Sequence, residues 1–333
     1  MIARFRIPGL DIPQACTGLL ALLMMAATGA AAQPAWRPAK AVEIIVPTGV
    51  GGIADQNARV IQKVLHDEKL LPTSAVVVNK TGGNQVLAVN YLKQFNADPH
   101  ALLYANPTVF TNQIAGISPH HYNDLTPLAL LMVDYTVISV RNDSPVKSMK
   151  ELVAMIRADP NSVAFGLPSR GGPNHLAAAQ AMRSAGIDPN KLKLVLFKTN
   201  ADAATAMLGG HIQATISTVG AATTAGNTSR MLAVAAPRRI SELPNLPTMR
   251  EQGVDATGIP NWRGVFAPKG VTAAQIAFWE DALAKVIIDS DWKKQLSENN
   301  LESMFMRSAE FGKFLNAEYL TTRAVMVDLG IAK

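Results

Sequence analysis

Two stretches of the chain combine residue types that can hold an anion. Thr48-Gly-Val-Gly-Gly-Ile-Ala-Asp55 follows the apolar run "VEIIVP" and precedes a pattern with helical spacing. Pro168-Ser-Arg-Gly-Gly-Pro-Asn-His175 follows "NSVAFGL" and again precedes a helical pattern. Glycines let backbone N–H groups approach a ligand with no side chain in the way. The helix that follows adds unpaired N–H groups and a positive dipole end. Strand, glycine turn and helix together make an anion seat. Two seats, Gly51 and Gly171 being about 120 positions apart, predict one in each half of an α/β chain. Open α/β sheets bind ligands at the carboxyl ends of their strands, so seats that face each other would clamp a carboxylate.

Other chemistries fit less well. Gly49-Val-Gly51-Gly-Ile-Ala54 matches the dinucleotide pattern G-x-G-x-x-A, but the next strand ends in Asn79-Lys80, where the ribose would need an acid. No G-K-[ST] follows either turn. Ser169 sits where a nucleophile elbow would place it, yet Leu167 occupies the first glycine position of G-x-S-x-G. His175 is expected to shape the turn rather than act as a base. His120-His121 with Asp124 lacks the spacing of a metal site. The sequence thus offers no catalytic set, cofactor or metal site, and an exported hydrolase-like enzyme is kept as the alternative to a binding protein.

The elements that must carry these turns alternate. Arg4 and Arg6 precede an uncharged run closing on Ala30 and Ala32, the form of a secretory signal peptide cut after Ala32. That cut removes Cys16, the one cysteine, so neither disulfide nor thiol chemistry is expected. It also takes Arg4, Arg6 and Asp11, lowering the net charge from +6 to +5. The basic residues are dispersed and aromatic content is 6%, which argues against nucleic acid and suits a small anionic ligand. Strands are predicted over 42–47, 74–80, 100–106, 135–143, 161–168, 191–198, 212–218, 230–237 and 263–268. Helices are predicted over 55–68, 85–95, 148–159, 174–186, 201–210, 272–288, 289–299 and 308–328. Ser148 and Glu151 have the spacing of a capping box. The alternation predicts an α/β fold of two lobes, each a mostly parallel sheet flanked by helices with a cleft between. The first lobe is expected to comprise residues 33–135 and 254–333, and the second 136–253.

Five stretches in order carry a family resemblance: "WRPAKAVEIIVPTGVGGIAD", "GLPSRGGPNHLAAA", "FKTNADAATAMLGGHIQ", "AAPRRISELPNLPTMREQG" and "WRGVFAPKGV". They resemble the substrate-binding proteins of tripartite tricarboxylate transporters, the Bug or TctC-like family, over nearly the whole mature chain. The resemblance implies a type II periplasmic binding protein that captures a carboxylate, aromatic or dicarboxylate among the candidates, and delivers it to a membrane permease as a monomer. Carried over by position, the ligand contacts would be Thr48, Gly51, Gly52, Ile53 and Asp55 in the first turn. Asn106 and Thr108 follow the third strand. Ser169, Arg170, Gly171, Asn174 and His175 form the second turn, and Lys198, Thr199 and Asn200 the turn after "LVLF".

The chain departs from the family pattern in ways that bear on its ligand. Ile53 stands where a hydroxyl is usual, and Arg170 brings a charge into the second turn. "NKTGGNQ" is shorter than its counterpart in the family. Arg170 is expected to pair with a ligand carboxylate, and Ile53 with Phe110 or Trp262 to form an apolar wall. Asp55 suits the dipole at the start of its helix; that structural role is expected ahead of direct contact.

Overall fold

The computed structural model describes residues 36–224, 226–256 and 259–333. The expected signal peptide, 1–32, lies outside the described residues. Residues 37–333 form one compact unit.

Among the described residues eleven strands build two sheets. The first holds β1 (Val42–Val46), β2 (Ala75–Asn79), β3 (Ala101–Ala105), β4 (Leu125–Asp134), β10 (Asn261–Pro268) and β11 (Glu302–Arg307) in the order β11-β4-β10-β3-β1-β2. The second holds β5 (Thr136–Arg141), β6 (Ala164–Leu167), β7 (Lys193–Leu196), β8 (Ala214–Thr218) and β9 (Ser229–Val234) in the order β7-β6-β8-β5-β9. Both sheets are mixed. β1 runs parallel to β2 and β3, and β6 parallel to β7 and β8. The remaining pairings are antiparallel. The parallel part of each sheet is the part that needs crossover helices, and each glycine turn opens one of those helices.

The helices are α1 (Ile53–Asp67), α2 (Val86–Lys93), α3 (Thr108–Ile114), α4 (Met149–Ala158), α5 (Pro173–Ser184), α6 (Asn200–Leu208), α7 (Val219–Thr224), α8 (Ala273–Ile288), α9 (Ser290–Glu298) and α10 (Ser308–Asp328). In α1 the spacing of Ala58, Ile61, Val64 and Leu65 buries one face. Ser148 caps α4 by accepting from the Glu151 amide at 3.2 Å, while Glu151 reaches back to the Lys147 amide rather than to that of Ser148. Strands β4 and β11 are absent from the pattern-based prediction. β4 reads "LTPLALLMVD", buried almost throughout, so it shows neither alternation nor a turn boundary that would mark a strand.

The largest core cluster is aromatic at its centre. Trp262, Phe110, Phe266 and Phe311 are fully buried, with Trp262 edge-on to Phe311 at 5.5 Å between centroids. Such pairs add about 0.5–1.5 kcal/mol beyond their burial. The same cluster takes in Leu176 and Ala179 of α5, so the helix behind the second glycine turn is packed against the first sheet's core.

Candidate functional site

Topology groups the candidate residues by sheet edge. β1 and β3 are parallel neighbours, so the turn at 48–52 and the residues Asn106 and Thr108 emerge at one carboxyl edge. β6 and β7 are likewise parallel, which puts the turn at 168–172 beside Thr199 and Asn200. The chain passes from one sheet to the other directly at Tyr135, between Asp134 and Thr136.

The two glycine turns have the same backbone. Gly51 has φ +84° and Gly171 φ +78°, a region where a side chain costs about 1–2 kcal/mol. Gly52 and Gly172 follow as extended N-caps, and α1 and α5 begin one residue later. In both turns the residue four places on accepts the first glycine's amide. Asp55 Oδ2 accepts from Gly51 N at 2.9 Å, and His175 Nδ1 accepts from Gly171 N at 3.0 Å. These two glycine amides are therefore already bonded within the chain, and in the first turn the Gly52 amide also donates to the Gly49 carbonyl at 3.5 Å.

Asp55 is buried and its carboxylate also accepts from Arg59 Nε at 2.9 Å and Asn79 Nδ2 at 3.0 Å. Burial pushes its pKa up, but the bonds from Arg59, Gly51 and Asn79 outweigh this and hold it below the ordinary value. Asn79 also donates to the Thr48 carbonyl at 2.9 Å, tying the turn to β2. Burial, with the Arg170 charge adding, pushes the His175 imidazole down to about 4. Its Nδ1 accepts a hydrogen bond from an amide, so the ring is the neutral tautomer with hydrogen on Nε2. A ring so engaged has no free lone pair to take a proton from Ser169, and the hydrolase reading finds no base here.

The other candidates divide. Asn174 Oδ1 accepts from Thr136 Oγ1 at 3.1 Å, both buried, beside the crossover. The Thr108 amide donates to Asn106 Oδ1 at 2.9 Å. Thr199 is spent as the N-cap of α6 in a capping box with Asp202, and Asn200 Oδ1 is buried without a partner. Arg170 is exposed and Ile53 half-buried. The apolar wall is corrected: Phe110 and Trp262 are enclosed in the aromatic cluster and reach no ligand.

The two turns share no hydrogen bond among the described residues. The C-terminal segment adds to the contact that α5 and Asp134 already make between the halves. Ile331 Cγ2 lies 3.6 Å from where a Cβ on Gly171 would stand, and Lys333 N donates to Ile114 O at 2.9 Å at the end of α3. Asp328 pairs with Arg183 of α5 at 2.5 Å. A concavity of about 350 Å³ lies at Met231 and Glu242–Leu246, and one of about 120 Å³ near Val140 and Ser144–Val146; neither includes a candidate residue. Among the described residues no three His, Cys, Asp or Glu side chains converge as a metal would require.

Four polar residues escaped the sequence reading. Gln85 is 7% exposed and bonds Asn106, and Asn84 and Asn112 bond one another. The signal was present: Gly82-Gly83 makes a third strand–Gly-Gly–helix turn. The fourth is Asp134, buried at the crossover and accepting from Gly220 N at 3.5 Å.

The profile of the family described as "Tripartite tricarboxylate transporter family receptor" (TctC) matches residues 57–331. Protein BugT of Bordetella pertussis is 30% identical over 241 residues, 70% of this chain and 72% of BugT. A TctC solute-binding protein from Polaromonas, 25% identical, superposes with a TM-score of 0.72 over 87% of this chain and 99% of that one. The R. palustris protein Rpa4515, solved with adipate, is 24% identical with a TM-score of 0.77 over 89% and 99% of the two chains.

Proposed function

Since the chain belongs to the tripartite tricarboxylate transporter receptor family, we propose that it captures a small dicarboxylate between its two lobes and hands it unchanged to a membrane permease of that system. The observation that carries the reading is the repeated turn. Each sheet ends its parallel strands in the same positive-φ glycine, extended-glycine N-cap and helix. Each seat then places a helix N-terminus behind a glycine turn, which suits a carboxylate. Two seats on two lobes suit a ligand with a carboxylate at either end, as the adipate of the R. palustris protein has.

In this reading residues 33–135 and 254–333 form one lobe and 136–253 the other, and both close on the ligand by a hinge at the Tyr135 crossover. Arg170, exposed beside the second seat, meets the second carboxylate as the lobes close. The signal peptide is cut after Ala32, and the receptor works in the periplasm as a monomer. Among the described residues no helix is long and apolar enough to cross a membrane.

Calorimetric titration with succinate, glutarate and adipate tests the reading. We expect saturable binding of at least one, a rise in Tm that grows with its concentration, and recovery of the ligand unaltered. Turnover, or no binding by any carboxylate offered, would overturn it.

A further inference from the structure

The first sheet's edge carries a polar relay whose direction is fixed. The amide of Thr108 donates to Asn106 Oδ1. That bond sets the Asn106 carbonyl as the acceptor, so Gln85 must turn its Nε2 toward the same oxygen, as it does. Gln85 Oε1 is thereby left as the free end, and it is buried with no partner. Burying a carbonyl with nothing to accept is unfavourable, and a ligand donor removes that penalty.

The strand order shows where this oxygen lies. β1 sits between β2 and β3. Gln85 comes from the segment after β2 and Asn106 from the end of β3, so their bond must bridge the carboxyl end of β1. Thr48 emerges at that end, and its hydroxyl is likewise buried without a partner. One hydroxyl able to donate and one carbonyl able only to accept thus stand at one seat. The nearby carboxylate, Asp55, is buried, already ion-paired with Arg59 and bonded by Gly51 and Asn79, so an ammonium group would find no unpaired counter-ion there. A neutral hydroxyl needs none.

We propose that Gln85 makes this receptor select hydroxylated carboxylates: its side-chain carbonyl accepts the hydrogen bond of a hydroxyl next to the carboxylate that Thr48 and the first glycine turn hold. The inference rests on the reading of the chain as a carboxylate receptor and narrows its ligand. A site built to accept from a hydroxyl discriminates strongly against the analogue lacking it, because the buried acceptor is then left empty.

The test is calorimetry with pairs that differ by one hydroxyl: succinate against L- and D-malate, and glutarate against both enantiomers of 2-hydroxyglutarate. The wild-type chain is expected to bind one hydroxylated member about tenfold or more tighter than its parent. Gln85→Met, of similar length and without an acceptor, is expected to bring the ratio to about twofold or less. Equal binding within both pairs by the wild type, which requires no variant, would overturn the proposal and leave the receptor reading standing. So would a preference that Gln85→Met retains. Failure of every acid to bind would overturn the receptor reading and this inference together.

Discussion

The two glycine turns use one backbone and two different locks. In the first, the Gly51 amide closes on a carboxylate; in the second, the Gly171 amide closes on an imidazole. Asp Oδ and His Nδ1 are both two bonds from Cβ, so either side chain at the third helical position reaches the same amide. The surroundings then decide the chemistry. Asp55 collects two further donors and stays charged, whereas His175 is buried beside Arg170 and stays neutral. A carboxylate lock in both turns would bring two negative charges to the proposed anion site. The imidazole supplies the acceptor without the charge, and leaves its Nε2 hydrogen as an added donor.

Breaking the first lock is expected to have the largest effect. Asp55→Ala strips an acceptor from Gly51, Asn79 and Arg59 at once and should cost about 3 kcal/mol in urea unfolding; Asp55→Asn, which keeps one acceptor, should cost less. The second lock should fail with acid instead. The His175 pKa is lowered from 6.5 to about 4 in the fold. The unfolded chain therefore binds the proton first, and stability present above pH 6.5 is lost as pH falls toward 4. The loss is on the order of 2 kcal/mol. His175→Asn keeps an acceptor for Gly171 and should remove that loss, seen as Tm against pH.

Asp134 must be separated from this, because its slope has the opposite sign. Burial raises its pKa from 3.8 to about 6 despite the Arg263 charge and the bonds from Thr218, Gly220 and Val219. The folded chain holds this proton longer, so stability present below pH 3.8 is lost as pH rises through 6. Asp134→Asn should unmask the rising limb that belongs to His175, again by about 2 kcal/mol across the window. The smallest effect sharpens the likeness of the turns. Gly51→Ala and Gly171→Ala should each cost about 1–2 kcal/mol, and by similar amounts, since φ is nearly equal and neither Cβ meets a clash.

Much of the fold is legible along the chain because α/β alternation is local. α1 shows its apolar face in Ala58, Ile61, Val64 and Leu65, and α5 announces itself with Gly172 and Pro173. β4 and β11 are not legible, since one is buried on both faces and the other pairs only through β4. The pairing of β10 with β3 joins residues far apart in sequence, and no short pattern encodes it. At the site, the turns were readable as glycine spacing. The locks were not, because whether Asp55 or His175 reaches back depends on a hydrogen bond that only the folded turn creates. Gln85 was hidden for a similar reason: its importance comes from Asn106 and Thr108, across β1.

The central claim is that both glycine turns hold one guest. A crystal structure grown with saturating dicarboxylate tests it most directly. The account predicts one bound molecule with a carboxylate oxygen within hydrogen-bonding distance of the turn at Gly51–Gly52 and another within reach of the turn at Gly171–Gly172. A ligand seated on one lobe alone, or away from both turns, would contradict it.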